Sequence, residues 1–345
     1  MRILIATDAW HPQINGVVRT LTTVGDELVA MGHETQFVTP NEFRSVPMPT
    51  YPEIRLALDT WNVAAKIDAA APDAIHIATE GPIGMAARRY CLRRGLPFTT
   101  SFHTRFPEYI QARTRLPLAI GYAAVRRFHR PSRAVMVATA SVRDDLTARG
   151  FGNLATWTRG VDTNLFRPQP KGFIDDVRPI LLYVGRVAVE KNIAAFLETD
   201  LPGSKYVVGD GPQIEELRKR HPEVRFVGAK FGAELARYYA AADVFVFPSR
   251  TDTFGNVILE ALASGVPVAA YPVPGPIDII AGRPIGALDE DLATATRAAL
   301  EISPAACRAF AMTMSWRASA EQFFANLAPI EGPLRTWTPR IVAQN

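Results

Sequence analysis

Short apolar runs alternate with amphipathic stretches along almost the whole chain. Such runs fit strands buried on both faces of a parallel sheet, and the helically spaced segments between them fit the crossovers. In the first half the runs are RILIAT (2–7), ETQFVT (34–39), AIHIAT (74–79), FTTSFH (98–103) and AVMVAT (134–139). VRTLTTVGDELVAMG (18–32) spaces its apolar residues for a helix and ends on Gly32, a C-cap residue. SVRDDLTARG (141–150) predicts another helix, opening on Ser141 and closing on Gly150.

The rhythm breaks at TRGVDTNLFRPQPKGFIDDVRP (158–179), where prolines, glycine and charge predict an interdomain linker. A second series follows: ILLYVGR (180–186), KYVVGDG (205–211), VRFVG (224–228), VFVFPS (244–249) and VPVAAYP (266–272). Two alternating series joined by a hinge predict an α/β protein of two facing, doubly wound, Rossmann-like domains, residues 1–165 and 166–312. A final helical pattern, MSWRASAEQFFANLAPI (314–330), carries Trp316, Phe323 and Phe324 near one face. No short repeat, low-complexity tract or heptad competes with this picture.

Composition agrees. At 345 residues the chain is long for one core and fits two, and 48% apolar with 21% charged residues is globular. MRILIATDAW has too short an apolar run for a signal peptide, and no run approaches the ~20 residues of a membrane span. A cytoplasmic protein is expected, with peripheral membrane contact open. Cys91 and Cys307 lie far apart without metal spacing, as expected of small buried residues in a reducing compartment. The net charge of +4 favours acidic partners in general, whether nucleotide phosphates, anionic lipid or nucleic acid, and discriminates no further.

In open parallel sheets, ligands bind beyond the carboxyl ends of strands, so the strand-to-helix loops carry the candidate chemistry. After the first strand, Asn15-Gly16 leads into a helix; Gly16 lets backbone N–H groups approach an anion, or serves only a tight turn. Glu80 in ATEGPIG is placed for substrate contact or as a helix cap, and His103 in SFHTRFPEY for a reacting centre or a structural role. In YVGRVAVEKN, Arg186 follows a strand and Lys191 opens a helix, so two cations can converge on a pyrophosphate. VVGDGP forms a glycine-rich turn at Gly209–Gly211. In TDTFGNVILEALASG, Phe254, Gly255 and Asn256 lead into a helix whose positive end suits a phosphate, while Glu260 suits ribose hydroxyls. Seven residues separate Asp252 from Glu260. No G-x-G-x-x-G fingerprint follows any of these strands, which disfavours a nicotinamide or flavin enzyme.

The ordered set NGVVRT, SFHT, RGVDTNLF, YVGR…EKN, VGDGP, ADVFVFPS and FGNVILEALASGVPV resembles the retaining glycosyltransferases of the two-Rossmann GT-B fold over nearly the whole chain. That group includes bacterial mannosyltransferases, sucrose synthases and sulfolipid synthases, and TEGPIG, SFHTRFPEY and PSRTDTFGN look most like its diacylglycerol-glycosylating branch. The resemblance implies that Arg186 and Lys191 hold the diphosphate of a nucleotide sugar and that Glu260 binds the ribose. It implies that Asp252, where a Glu is more usual, contacts sugar hydroxyls, that His103 bonds to the donor sugar, and that Gly16 meets the donor phosphates or the acceptor. Gly209, Phe254, Gly255 and Asn256 complete the expected donor side, and Glu80 and Arg105 the acceptor side. It also implies that the C-terminal segment 313–345 returns to the first domain, and that nucleic acid is no partner.

No D-x-D motif is expected after a strand in this sequence, so a transferase without metal or other cofactor is expected, its leaving group stabilised by two fixed cations and a helix terminus. No residue presents itself as a nucleophile. The segment 104–133 interleaves Arg105, Arg113, Arg115, Arg126, Arg127, Arg130 and Arg133 with apolar residues. It fits either an anionic membrane surface carrying a lipid acceptor, on the inner face of the cell membrane, or a solvated face over a core helix. The alternatives are a soluble transferase making polysaccharide or small glycosides, and a sugar-nucleotide epimerase or inactive binding relative.

Overall fold

The computed structural model describes residues 1–13, 16–48, 51–252 and 254–332. Asn15 and residues 333–345 of the expected C-terminal segment lie outside the described residues. Eight strands form in the first half: β1 (Arg2–Ala6), β2 (Glu34–Val38), β3 (Ser45–Met48), β4 (Tyr51–Ala57), β5 (Ala74–Ile77), β6 (Thr99–Ser101), β7 (Val135–Val137) and β8 (Leu154–Thr156). Six follow in the second: β9 (Ile180–Val184), β10 (Ser204–Val208), β11 (Arg225–Gly228), β12 (Val244–Phe247), β13 (Val268–Ala270) and β14 (Gly286–Leu288). All ten expected strands are present.

Two six-stranded parallel sheets result, with strand orders β2-β1-β5-β6-β7-β8 and β11-β10-β9-β12-β13-β14, beside an antiparallel β3–β4 hairpin. The first order is flavodoxin-like and the second is that of dinucleotide-binding folds; they reverse between β1 and β5 and between β9 and β12. Alternate residues feed opposite cores. Ile3 and Ile5 of β1 pack with Leu21 and Leu28 of the first helix, while Leu4 and Ala6 pack with Ile67 and Ile83 on the other face. In β9, Ile180 and Leu182 face one core and Leu181 and Tyr183 the other.

The hairpin, β8 and β14 were not legible as strands. Ser45–Met48 contains Pro47, and β14 contains a glycine and only three residues. The loop after β14 also corrects the expectation that no D-x-D follows a strand, because Asp289-Glu290-Asp291 stands there. Its carboxylates are engaged locally: Asp291 caps the helix Leu292–Leu300 through Ala293 N and Thr294 N, and Glu290 pairs with Arg250 at 3.0 Å. The helix expected to open on Ser141 spans Ala140–Ala148 and is capped by Thr139, which accepts from Val142 N. Ser141 instead donates to Asp278 of the second half, at 3.0 Å from its N–H and 3.1 Å from its hydroxyl. Gly32 does close the first helix, with φ +85°.

The segment 158–179 contains no strand or α-helix, yet it is firmly packed. Phe166 is buried in the second core, and Arg308 binds the carbonyls of Thr163 and Phe166 at 2.9 and 2.8 Å. The helix Trp316–Ala325 crosses back onto the first sheet. Trp316 and Phe323 join Ile3, Leu21 and Trp157 in one core, and Trp157 Nε1 donates to Ser319 Oγ at 3.2 Å. Phe324 stacks on His33 with centroids 4.2 Å apart. Each fully buried aromatic there contributes about 1.5–3 kcal/mol. Cys91 and Cys307 are buried free thiols, pushed up to about 12 by desolvation.

Candidate active site

At the reversal between β9 and β12, two loops diverge and leave a crevice at the carboxyl edge of the second sheet. The loop after β9 carries Arg186, whose carbonyl accepts from Tyr183 Oη at 2.8 Å. A 3₁₀ turn, Val189–Lys191, leads to Asn192 at φ +53°, a left-handed position that Asn tolerates. The Asn192 amide donates to Pro248 O at 3.1 Å, which ties this loop to the end of β12. Lys191 Nζ is thereby brought 2.5 Å from Asp252 Oδ1. Desolvation lowers the Lys191 pKa, but Asp252 and Tyr109 outweigh it and hold the ammonium above its ordinary value. Asp252 Oδ2 is buried without a hydrogen-bond partner among the described residues, an acceptor available to a hydroxyl.

The glycine-rich turn answers to packing. A Cβ on Gly209 would lie 1.8 Å from the Gly185 carbonyl oxygen, and one on Gly211 would lie 2.4 Å from that of Val187. Gly209 therefore lets the β10 loop close behind the Arg186 loop. Phe254 is buried in the core beneath, and Gly255 adopts φ +87° immediately before the helix Asn256–Ala263. Glu260 lies on that helix, 3% exposed, and forms an ion pair with Arg19 of the first half. Burial raises its pKa, and Arg19 opposes the rise. Asn256 reaches the same helix of the first half, with Nδ2 3.3 Å from Thr20 Oγ1 and 3.5 Å from the carbonyl of Gly16.

On the first sheet, His103 lies two residues beyond β6. Its Nδ1 stands 3.2 Å from Arg159 Nη2, and its ring meets Trp157 edge-on at 5.5 Å. Desolvation, reinforced by Arg159, holds the imidazole neutral, well below its ordinary pKa. Glu80 Oε1 is 3.0 Å from the buried His129 Nε2, so this carboxylate joins a histidine rather than capping the next helix. The cap is Asp8, which accepts from Ile83 N at 2.8 Å and Gly84 N at 3.2 Å. Arg105 is held by Asp145 at 2.8 Å and Glu108 at 3.4 Å. The side chain of Arg113 lies outside the described residues.

The second-half residues Arg186, Lys191, Asp252 and Glu260 thus share one sheet edge, and Gly16 meets it through Asn256. Three contributors were not singled out from sequence: Arg19, Arg159 and Tyr109. Tyr109, on the helix Phe106–Thr114, lies close enough to Lys191 and Asp252 for their charges to bear on its phenol. Arg19 follows Gly16 by one helical turn, so helical spacing alone points it at the same edge. Arg159 and Tyr109 carry no such local signal.

Residues 14–165 match the family described as Glycosyltransferase Family 4, and residues 178–302 match Glycosyl transferases group 1. The GDP-mannose-dependent alpha-mannosyltransferase of Mycobacterium tuberculosis is 28% identical over 84% of this chain and 83% of its own. The alpha-monoglucosyldiacylglycerol synthase of Streptococcus pneumoniae is 30% identical over 88% of this chain and 79% of its own. Among solved structures, sucrose-phosphate synthase from Thermosynechococcus elongatus superimposes with a TM-score of 0.72 at 22% identity, over 94% of this chain and 97% of that one. The fold is that of the GT-B glycosyltransferases. The chain belongs to this family and is a glycosyltransferase.

Proposed function

We propose that the protein transfers a hexose, with retention and without a metal ion, from a UDP- or GDP-sugar to a diacylglycerol-type lipid at an anionic membrane surface. In this reading residues 166–312 form the donor lobe, and residues 1–165 with the returning C-terminal helix form the acceptor lobe. The observation that carries the reading is the Lys191–Asp252 pair at the strand-order reversal, with Arg186 on the same loop as Lys191 and Glu260 on the neighbouring helix. Arg186 and Lys191 neutralise the diphosphate as its bond to the anomeric carbon breaks, and Glu260 receives the ribose hydroxyls. Asp252 and a neutral His103 hold sugar hydroxyls. Retention follows from attack on the face the diphosphate leaves, with that phosphate accepting the acceptor's proton.

Lipid as acceptor is supported by the synthase relative and by the surface of segment 104–133. Phe106, Ile110, Leu116 and Ile120 are exposed there, with Arg115, Arg127, Arg130 and Arg133 exposed on the same segment. Apolar side chains flanked by cations suit a bilayer interface. No helix among the described residues is long and apolar enough to cross a membrane, so binding from one side is the arrangement proposed.

Two measurements test this. Lys191→Ala should lower kcat by about 10²–10³-fold, the loss typical of one transition-state charge partner; undiminished turnover would sink the diphosphate clamp. Flotation with vesicles containing anionic lipid should carry the protein upward, and Ile110→Ser with Ile120→Ser should leave it behind. A wild-type protein that stays with the soluble fraction removes the lipid surface from the proposal while leaving the donor site standing.

A further inference from the structure

Arg159 is 5% exposed, and its partners among the described residues are two backbone carbonyls and one imidazole. Nη1 donates to Trp157 O at 2.6 Å and Thr158 O at 3.2 Å, and the guanidinium carbon lies 4.2 Å over the Trp157 ring. Nη2 stands 3.2 Å from His103 Nδ1. Burying a guanidinium against carbonyls without a carboxylate is expensive, and desolvation pulls its pKa down to about 9. It stays charged at neutral pH all the same.

A guanidinium has donors only. His103 Nδ1 must therefore present its lone pair to Arg159, which puts the ring proton on Nε2. A doubly protonated ring would set an N–H of His103 against an N–H of Arg159 and add a second buried cation beside the first. Among the described residues, the other titratable groups that bear on His103 are His76 and His129. His76 is itself engaged, with Nδ1 2.9 Å from Thr99 Oγ1 and Nε2 2.7 Å from Ser101 Oγ.

We infer that Arg159 is a positioning residue that locks His103 as the neutral tautomer protonated on Nε2. Transfer thereby meets a hydrogen-bond donor at this point, rather than an acceptor or a cation. The inference rests on the reading that His103 meets the donor sugar, whose oxygens accept from Nε2–H. Trp157 serves as the rigid floor that fixes the guanidinium plane, itself anchored by Ser319 of the returning helix.

The test uses the full-length enzyme labelled with ¹⁵N-histidine, with His103→Gln assigning the His103 signals. Long-range proton–nitrogen correlation should show His103 of the unaltered enzyme protonated on Nε2 and bare on Nδ1. Arg159→Met, which keeps an unbranched stem but removes every side-chain donor, should give a mixture of tautomers. Its kcat should fall by up to about 10²-fold, as for a misplaced catalytic contact, with KM for donor little changed. Arg159→Lys, which restores a donor, should recover the tautomer and much of kcat. An unaltered enzyme protonated on Nδ1 overturns the inference, as does an unchanged tautomer in Arg159→Met. Should Arg159→Met fail to fold, the spectra of the unaltered enzyme and Arg159→Lys still decide. Full activity in His103→Gln would instead remove His103 from the sugar site, a failure of the underlying reading that leaves the tautomer result to stand or fall separately.

Discussion

At the scale of single residues, the proposed donor site sets one buried carboxylate, Glu260, against a cation from the first half of the chain. Glu260 is buried, which raises its pKa above the ordinary 4.5, and Arg19 holds the rise back. A carboxyl with a raised native pKa favours the folded state when protonated, so its contribution to stability is present at low pH and lost as pH rises through that pKa. Donor affinity runs the opposite way, because ribose hydroxyls need the carboxylate as acceptor. Nucleotide diphosphate binding, followed by calorimetry, should therefore weaken on acidification starting above pH 4.5, earlier than an exposed glutamate would allow. Glu260→Gln should bind more weakly at neutral pH and lose this acid dependence; an unaltered pH profile in that variant would show that another group titrates. The spacing of Asp252 and Glu260 and the Arg186–Lys191 pair were visible in sequence because each lies within one strand-loop-helix unit. Arg159 was not, because its partner His103 lies 56 residues away.

At the scale of elements, what was legible followed burial. Strands covered on both faces, such as β5, β7, β9 and β12, have no polar alternation to interrupt their apolar runs and were the plainest to read, while the partly exposed β2 and β11 also formed where expected. The β3–β4 hairpin, β8 and β14 have partly exposed or very short runs, and only pairing in three dimensions defines them. Caps show the same limit. Ser141 lies in sequence where a cap is common, but Thr139 takes that role locally and Asp278, on the helix Pro276–Ile280 of the second half, claims Ser141. The helix Pro82–Arg94 opens on Gly81, which has no side chain to offer, and takes its cap from the loop after β1. Asp8 accepts there from Ile83 N, Gly84 N and Thr79 Oγ1, despite a pKa raised by burial. Asp8→Ala strands these donors and should cost about 1–3 kcal/mol in denaturant unfolding. Glycosyl transfer per folded molecule should change little, since Asp8 supports β5 and its helix. A loss below a few tenths of a kcal/mol would mean that water replaces the carboxylate at no cost.

At the scale of the whole molecule, the two halves meet through polar pairs: Arg19 with Glu260, Thr20 with Asn256, and Ser141 with Asp278. Each is directional and exchangeable, unlike the apolar seam by which the Trp316–Ala325 helix is fixed to the first sheet. This division would suit the proposed transferase if its halves part to admit a donor, since each half keeps its own apolar core. Arg19 and Glu260 make the argument quantitative. Glu260 is almost wholly buried and Arg19 is 36% exposed, so the pair is screened at one end only. Arg19→Ala leaves a buried carboxylate unpaired and should destabilise by about 1–3 kcal/mol, less than the 3–5 of a fully buried pair. Glu260→Gln removes the charge that needs Arg19. In the double variant Arg19→Ala, Glu260→Gln the loss should be smaller than the sum of the single losses, by an interaction energy of about 0.5–3 kcal/mol. Additive losses in denaturant melts would show that Arg19 does not hold Glu260 in solution. Coupling would establish that the Arg19–Glu260 pair holds the two halves of the molecule together in solution as it does in the structure.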